Sequence, residues 1–203
     1  MVAVITGDII NSDRDKTSDW IHVLKDYLGQ HGETPVDWEI YRGDEFQVKT
    51  TPEKALRMAI HIKATIKSVQ QLDVRMGIGI GSETYLGSSV SESNGTAYQR
   101  SGRIFETLKE QKLNMAIISG DKYWDRTLNL MLKLALNFMD HWSQVSAEMV
   151  GLTLERPNEP QQGIAEQLSI KQSAVSQRLK RARMDLVLEV LDYYSEKIKQ
   201  LVE

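Results

Sequence analysis

"VDWEIYRGDEFQVKT", Val36 to Thr50, is the stretch from which the fold can be read. It reads as two strands joined at Gly43-Asp44, a turn pair between apolar runs. It also sets two acidic side chains, Asp44 and Glu45, directly after a glycine. The hairpin raises two questions: which sheet it joins, and whether its carboxylates present oxygen to a ligand.

Working outward answers the first. Upstream, "VAVITGDII" is short and β-branched and ends in the turn-type residues "NSDRDK", so it reads as a buried strand. Trp20, Val23, Leu24, Tyr27 and Leu28 recur at i, i+3, i+4, i+7 and i+8, the period of an amphipathic helix that "HGETP" ends. Downstream, Thr51-Pro52 starts a helix, with Thr as N-cap and Pro in the first turn. Leu56, Ala59, Ile62, Ile66 and Val69 form its inner face. "LDVRMGIGIG" is another strand, followed by a polar loop, a helix over 96–111 and the short strand "NMAIIS" over 114–119. Past Gly120 only helices are expected, beginning with "YWDRTLNLMLKLALNFMDHW" and interrupted by the Pro-rich "ERPNEP" at 155–160.

The order β–α–β–β–α–β, with both helices on one face of an antiparallel sheet, predicts a ferredoxin-like arrangement. The expected class is therefore α+β. A ferredoxin-like domain is expected over 1–120, connecting helices over 121–154, and an all-helical domain over 155–203.

Bulk composition narrows the setting. The chain has 203 residues, 41% of them hydrophobic, enough for a real core, and a net charge of −3 that announces no global affinity for nucleic acid. There is no cysteine, which removes disulfides and thiolate metal sites, and the four histidines show no metal-ligand spacing. No apolar run approaches the roughly 18 residues of a membrane span, and the start lacks a signal-peptide pattern. A soluble cytoplasmic protein without a membrane partner is the expectation.

The second question turns on the first strand. In the ferredoxin-like order that strand is central and can lie beside the hairpin. Val4, Thr6 and Asp8 share a face, so Asp8 at the strand's end could approach Asp44. Two facing carboxylates repel unless a cation lies between them, and oxygen-only ligation suits Mg²⁺ or Mn²⁺ with substrate phosphates completing the shell. Such a site could activate a hydroxyl and steady a leaving pyrophosphate. Taken singly, Asp8 can cap the turn after its strand and Gly43-Asp44 can be a plain turn. "GIGIG" is not a dinucleotide fingerprint, because Ser82 stands where the last glycine is needed; glycines in a strand point to close backbone approach.

Asp8 on the first strand, "RGDEF" at the hairpin, "RMGIGIG" on a later strand and "NGTAYQRSGR" opening a helix occur in that order. This resembles the catalytic domains of class III nucleotidyl cyclases and diguanylate cyclases, over about residues 1–110. The whole chain, helical tail included, looks most like the SatD family of bacterial proteins. The cyclase resemblance implies that Asp8, Asp44 and Glu45 are metal ligands. It implies that Asp8, Ile9, Arg14, Gly43 and Gly95 line a nucleotide or phosphate site. Should the chain be an enzyme, Arg103 falls on the arginine that stabilises the transition state. Gln99 stands where cyclases have asparagine. Arg42 replaces the first glycine of a full GGDEF, which leaves room for the guanine nucleotide, and so argues against cyclic-di-GMP synthesis.

"QQGIAEQLSIKQSAVSQRLKRARMD" is the other informative stretch. Ile164, Ala165, Leu168, Ile170, Val175 and Leu179 have helix-turn-helix spacing, and the stretch looks like the helix-turn-helix of repressors and sigma-like regulators, with Ser169 replacing the usual turn glycine. Six basic residues and two acidic ones lie between Arg156 and Met184, whereas the rest of the chain is more acidic than basic. Lys171, Gln172, Ser173, Ser176 and Gln177 would read base edges of double-stranded DNA. Arg178, Lys180 and Arg181 would hold its backbone. The competing reading is a protein-interaction module with a solvated basic face. Shared-site cyclases and dimeric helix-turn-helix proteins both lean toward a homodimer.

Three functional readings follow. The chain is a DNA-binding transcriptional regulator with a nucleotide- or phosphate-sensing palm domain; or a metal-dependent nucleotidyl cyclase or nucleotidyltransferase; or a scaffold whose palm serves only protein contacts.

Overall fold

The structure, a computed structural model, describes residues 1–12, 19–41, 43–69 and 72–202. Among these, five strands and eight helices follow one another. They are β1 Val2–Ile10, α1 Asp19–Gly29, β2 Trp38–Tyr41, β3 Glu45–Thr50, α2 Pro52–Ser68, β4 Asp73–Gly81, α3 Thr96–Gln111 and β5 Met115–Ile118, then α4 Lys122–Met139, α5 Gln144–Glu155, α6 Gln161–Gln167, α7 Gln172–Ala182 and α8 Met184–Val202. The class is mixed α+β. No helix is long and apolar enough to cross a membrane among the described residues.

The hairpin β2–β3 joins one mixed sheet in the order β2-β3-β1-β4-β5. β1 is central and runs antiparallel to both β3 and β4, while β5 adds in parallel to β4 after the α3 crossover. Alternation along each strand gives the sheet two unlike faces. Ala3, Ile5 and Ile9, Phe46 and Val48, and Val74, Met76, Ile78 and Ile80 form an apolar face buried beneath α1 and α2. The inner residues of those helices are Trp20, Leu24, Tyr27 and Leu28 from α1, and Leu56, Ala59, Ile62 and Ile66 from α2.

The opposite face is polar. It carries Thr6 and Asp8 on β1, Glu45, Gln47 and Lys49 on β3, Glu39 and Tyr41 on β2, and Arg75 on β4. α3 covers only the β4 side of this face, and the glycines of "MGIGIG" explain how it can. A Cβ at Gly79 would lie 2.1 Å from the Ala97 carbonyl oxygen, and one at Gly77 would lie 2.7 Å from the Phe105 nitrogen. The helix backbone rests directly on the strand, as close backbone approach demands.

The helices after β5 continue the core beneath α2 rather than forming a detached layer. Trp124, Leu128 and Leu132 of α4, Ala147, Val150 and Leu154 of α5, and Val187, Leu191, Tyr194 and Ile198 of α8 belong to the same buried cluster as the sheet's apolar face. The buried cluster therefore runs across positions 120 and 154. The Tyr194 hydroxyl donates to the Pro52 carbonyl, and burial pushes its pKa up. Lys63, fully buried, sits 2.6 Å from Asp73 and 2.7 Å from Asp140, and Lys67 donates to Asp73 and to the Asp140 carbonyl. These charges fasten the α4–α5 corner to α2 and to the start of β4.

The last helix departs from the expected packing. From sequence, Leu186, Val190, Tyr193, Ile198 and Leu201 form the face expected to pack on the helical unit or on a partner chain. Instead Val187, Leu191, Tyr194 and Ile198 are buried, while Val190, Tyr193 and Leu201 lie at the margin. Arg183 adopts a left-handed conformation, φ 54°, that ends α7 and restarts the helix in a new phase.

Candidate functional site

Two places gather the predicted site residues, and they are built differently. The first is the polar face of the sheet. Cross-strand register sets Tyr41, Glu45, Asp8 and Arg75 in one row and Glu39, Gln47, Thr6 and Gly77 in the next. Arg75 grips Asp8 with both nitrogens, Nε to Oδ1 at 3.0 Å and Nη2 to Oδ2 at 2.6 Å. Both side chains are mostly buried, 17% and 21% exposed, so this two-pronged ion pair is well shielded. Arg75 reads from sequence as a surface charge or a phosphate contact; the structure makes it the partner of Asp8.

Register also changes Asp8's carboxylate neighbour. Glu45 stands directly opposite Asp8. Asp44 precedes β3, where its carboxylate accepts from the Ser12 hydroxyl at 2.9 Å and its carbonyl accepts from the Ile9 N–H at 3.1 Å. Arg75 already answers the Asp8 charge that a cation between Asp8 and Asp44 would otherwise neutralise. Among the described residues no group of three or more His, Cys, Asp or Glu side chains stands together as a metal site.

The second row forms a directed relay. The Ser101 hydroxyl donates to the Tyr98 carbonyl at 2.9 Å, so it accepts from Thr6 at 3.0 Å, and Thr6 in turn accepts from the Gln47 amide at 3.0 Å. This relay locks α3 to β1 and β3. Beside it the uncovered sheet and α3 enclose a groove of about 580 Å³ lined by Thr6, Glu39, Tyr41, Glu45, Phe105 and Glu106 among others. Three carboxylates make it acidic. Such a surface attracts cations and hydroxyl-bearing groups and repels bare phosphates.

The remaining cyclase-type residues are not brought to this groove. Gln99 and Arg103 are exposed, one turn apart on α3, on the side away from Ala97, Ser101 and Leu108 that faces the sheet. The Gln99 amide donates to Asn94 at 3.4 Å. Ile9 points into the α1–α2 core. Gly43 and Gly95 each have a local reason to be glycine. Gly43 turns at φ 85°, and Gly95 has φ 152° with the Ser82 carbonyl 2.2 Å from where its Cβ would be. Arg14 and Arg42 lie outside the described residues.

The second place is the helical unit. α6 and α7 enclose a small buried cluster of Met149, Ile164, Ala165 and Val175, with Leu152, Leu168, Ile170 and Leu179 packed around it. All six residues picked out by spacing face this cluster. The turn between the helices passes through Ser169, left-handed at φ 52°, the conformation for which glycine is the usual choice. On α7 the opposite face is exposed: Lys171 at the N-cap, then Gln172, Ser173, Ser176, Gln177, Lys180 and Arg181, with Arg178 half-buried at the edge. Gln172 donates to Gln161 of α6 at 2.7 Å, and Arg156 to Gln167 at 2.7 Å. Lys171, Arg178, Lys180 and Arg181 form no ion pair among the described residues.

A third cluster went unread in the sequence because its members come from three helices: Tyr27 and His31, Lys54, Arg57 and His61, and Glu155. Tyr27 stacks at a tilt on both His31 and His61, with ring centroids 4.5 and 4.4 Å apart. Histidine at i+4 from tyrosine, and the spacing of Lys54, Arg57 and His61, were the available signals.

Among known proteins, the model of the SatD family matches residues 1–196. No curated protein and no solved structure gives a significant match. The match takes in the sheet, the groove and all of α6 and α7, and the chain belongs to the SatD family.

Proposed function

We propose that the protein is a DNA-binding transcriptional regulator in which α6 and α7 form a helix-turn-helix and the sheet domain senses a nucleotide or related phosphate ligand. The observation that carries this reading is the exposed face of α7. Gln172, Ser173, Ser176 and Gln177 stand out at its N-terminal half and Lys180 and Arg181 follow, without acidic partners. Amide and hydroxyl side chains suit base edges, and unpaired cations suit phosphates. The left-handed turn at Ser169 and the six-residue apolar cluster support the same assignment. The β2-β3-β1-β4 order with α1 and α2 on one face supports a ferredoxin-like, palm-type reading of residues 1–120. Two such units in a homodimer would address two half-sites.

Fluorescence anisotropy with duplex DNA at low salt tests this. Non-specific binding is expected with Kd on the order of 10⁻⁴ to 10⁻⁶ M at physiological salt and tighter at low salt. Absence of duplex binding at low salt would remove the core of the proposal.

A second reading, a Mg²⁺- or Mn²⁺-dependent nucleotidyl cyclase or nucleotidyltransferase, is favoured by the acidic groove beside Asp8 and Glu45. It requires Asp8 to serve the metal while Arg75 competes for its charge. Because Gln99 and Arg103 face outward, it also requires them to act on the site of a second copy. Pyrophosphate release from any NTP that disappears in Asp8→Asn would favour this reading; release that is absent, or unchanged in that variant, would count against it.

A further inference from the structure

On the side of the sheet away from Asp8, α1, α2 and the end of α5 enclose a cavity of about 360 Å³. Its charged and titratable lining comes from every element around it. α1 and the turn after it supply Tyr27 and His31, α2 supplies Lys54, Arg57 and His61, and α5 supplies Glu155; Gln30, Met58 and Leu154 complete the wall. Lys54, Arg57 and His61 are spaced by three and four residues, so they rise along one face of α2. Lys54 and Arg57 form no ion pair among the described residues, not even with Glu155 at the rim. Tyr27 and His61 have their rings in contact, and neither the Tyr27 hydroxyl nor a His61 ring nitrogen has a hydrogen-bond partner among the described residues. His31 Nδ1 lies 2.8 Å from the Tyr27 carbonyl, which can only accept, so Nδ1 carries the proton.

We propose that this cavity binds a small phosphorylated molecule, its phosphate held by Lys54 and Arg57 with the Tyr27 hydroxyl and His61 ring as further hydrogen-bond donors. The reasoning is electrostatic and geometric. Two cations without counter-ions stand over a concave wall of polar groups without partners, the inventory a phosphate satisfies. The volume admits a phosphate with a few attached atoms or one ring and excludes a duplex. Burial, then the positive charge of His31 and Arg57, lowers the His61 pKa to about 4. His61 is thus neutral near pH 7 and able to donate one N–H to an anion held beside it by Arg57.

The test is an NMR titration of the full chain, following the His61 and Tyr27 ring resonances as inorganic phosphate and then phenyl phosphate are added. Saturable shifts with a millimolar or tighter Kd are expected for both. Arg57 is exposed and Ala is a good helix former, so Arg57→Ala should keep the fold and weaken binding by about tenfold or more. His61→Gln should weaken it less. No saturable shift, or an equal response in Arg57→Ala, overturns the proposal. Duplex DNA should leave these resonances unmoved; if duplex moves them and phosphate does not, the small-molecule assignment is wrong. This outcome does not depend on whether α7 binds DNA.

Discussion

The polar face of the sheet and the exposed face of α7 both carry charge, but they use it in opposite ways. On the sheet, several charges are spent inside the molecule, although Glu39 and Glu45 form no ion pair among the described residues: Asp8 on Arg75, Lys49 on Glu83 at 3.3 Å, and, at the foot of β4, Asp73 on Lys63 and Lys67. On α7, Lys180 and Arg181 are exposed and unpaired among the described residues. A charge already answered within the fold contributes to holding it together. A charge left unanswered on an ordered helix is available to a partner. This contrast is why the helical unit, rather than the carboxylates, supports the functional reading.

Changes that attack the contrast should differ in kind as well as size. The largest effect is expected from Lys63→Ala, which leaves the Asp140 carboxylate without its cation and Asp73 with Lys67 alone. Denaturant unfolding should show a loss of roughly 3–5 kcal/mol. A loss below about 1 kcal/mol would mean that the sheet-side charges are not spent on stability.

Next comes pH. The His61 pKa is lowered from 6.5 to about 4 by burial and by the positive charge of His31 and Arg57. The folded state therefore resists a proton that the unfolded chain accepts. Stability from this group is whole above pH 6.5 and drains away as pH falls toward 4, by up to roughly 3 kcal/mol. His61→Gln should flatten that part of the stability–pH curve, and an unchanged curve would contradict the assignment.

The double change Lys180→Ala and Arg181→Ala should do the reverse of Lys63→Ala. Stability should move by no more than about 0.5 kcal/mol. Duplex affinity should drop about ten- to a hundredfold, with the salt slope shallower by about 2. The smallest effect is expected from Ser169→Gly. Relieving a left-handed serine should raise stability by about 0.5–1 kcal/mol and leave DNA binding intact. A destabilised variant would show that the turn needs the serine side chain.

The two regions also differ in how far they could be read in advance. The α6–α7 unit is local. Ile164 to Leu179 is one short stretch whose spacing sets which residues face inward, so its cluster, its turn and its exposed face were all legible. β1, the hairpin, β4 and a close backbone approach at its glycines were legible too, though not that α3 makes it, because period and turn residues are local signals. What Asp8 touches was not. Its neighbours Glu45 and Arg75 are 37 and 67 positions away, and a one-residue difference in register exchanges Asp44 for Glu45. The Tyr27–His31–His61 cluster was hidden for the same reason, since helix packing rather than spacing brings α1, α2 and α5 together. In α8 the pattern was visible but its phase was not, because the left-handed Arg183 resets it.

One measurement addresses the central claim most directly: mapping backbone amide shifts across the whole chain as a duplex is titrated in at low salt. The account predicts perturbations centred on Lys171 to Arg181 and fading toward the sheet. Perturbations centred instead on the groove around Thr6, Glu45 and Glu106, or absent throughout, would contradict it.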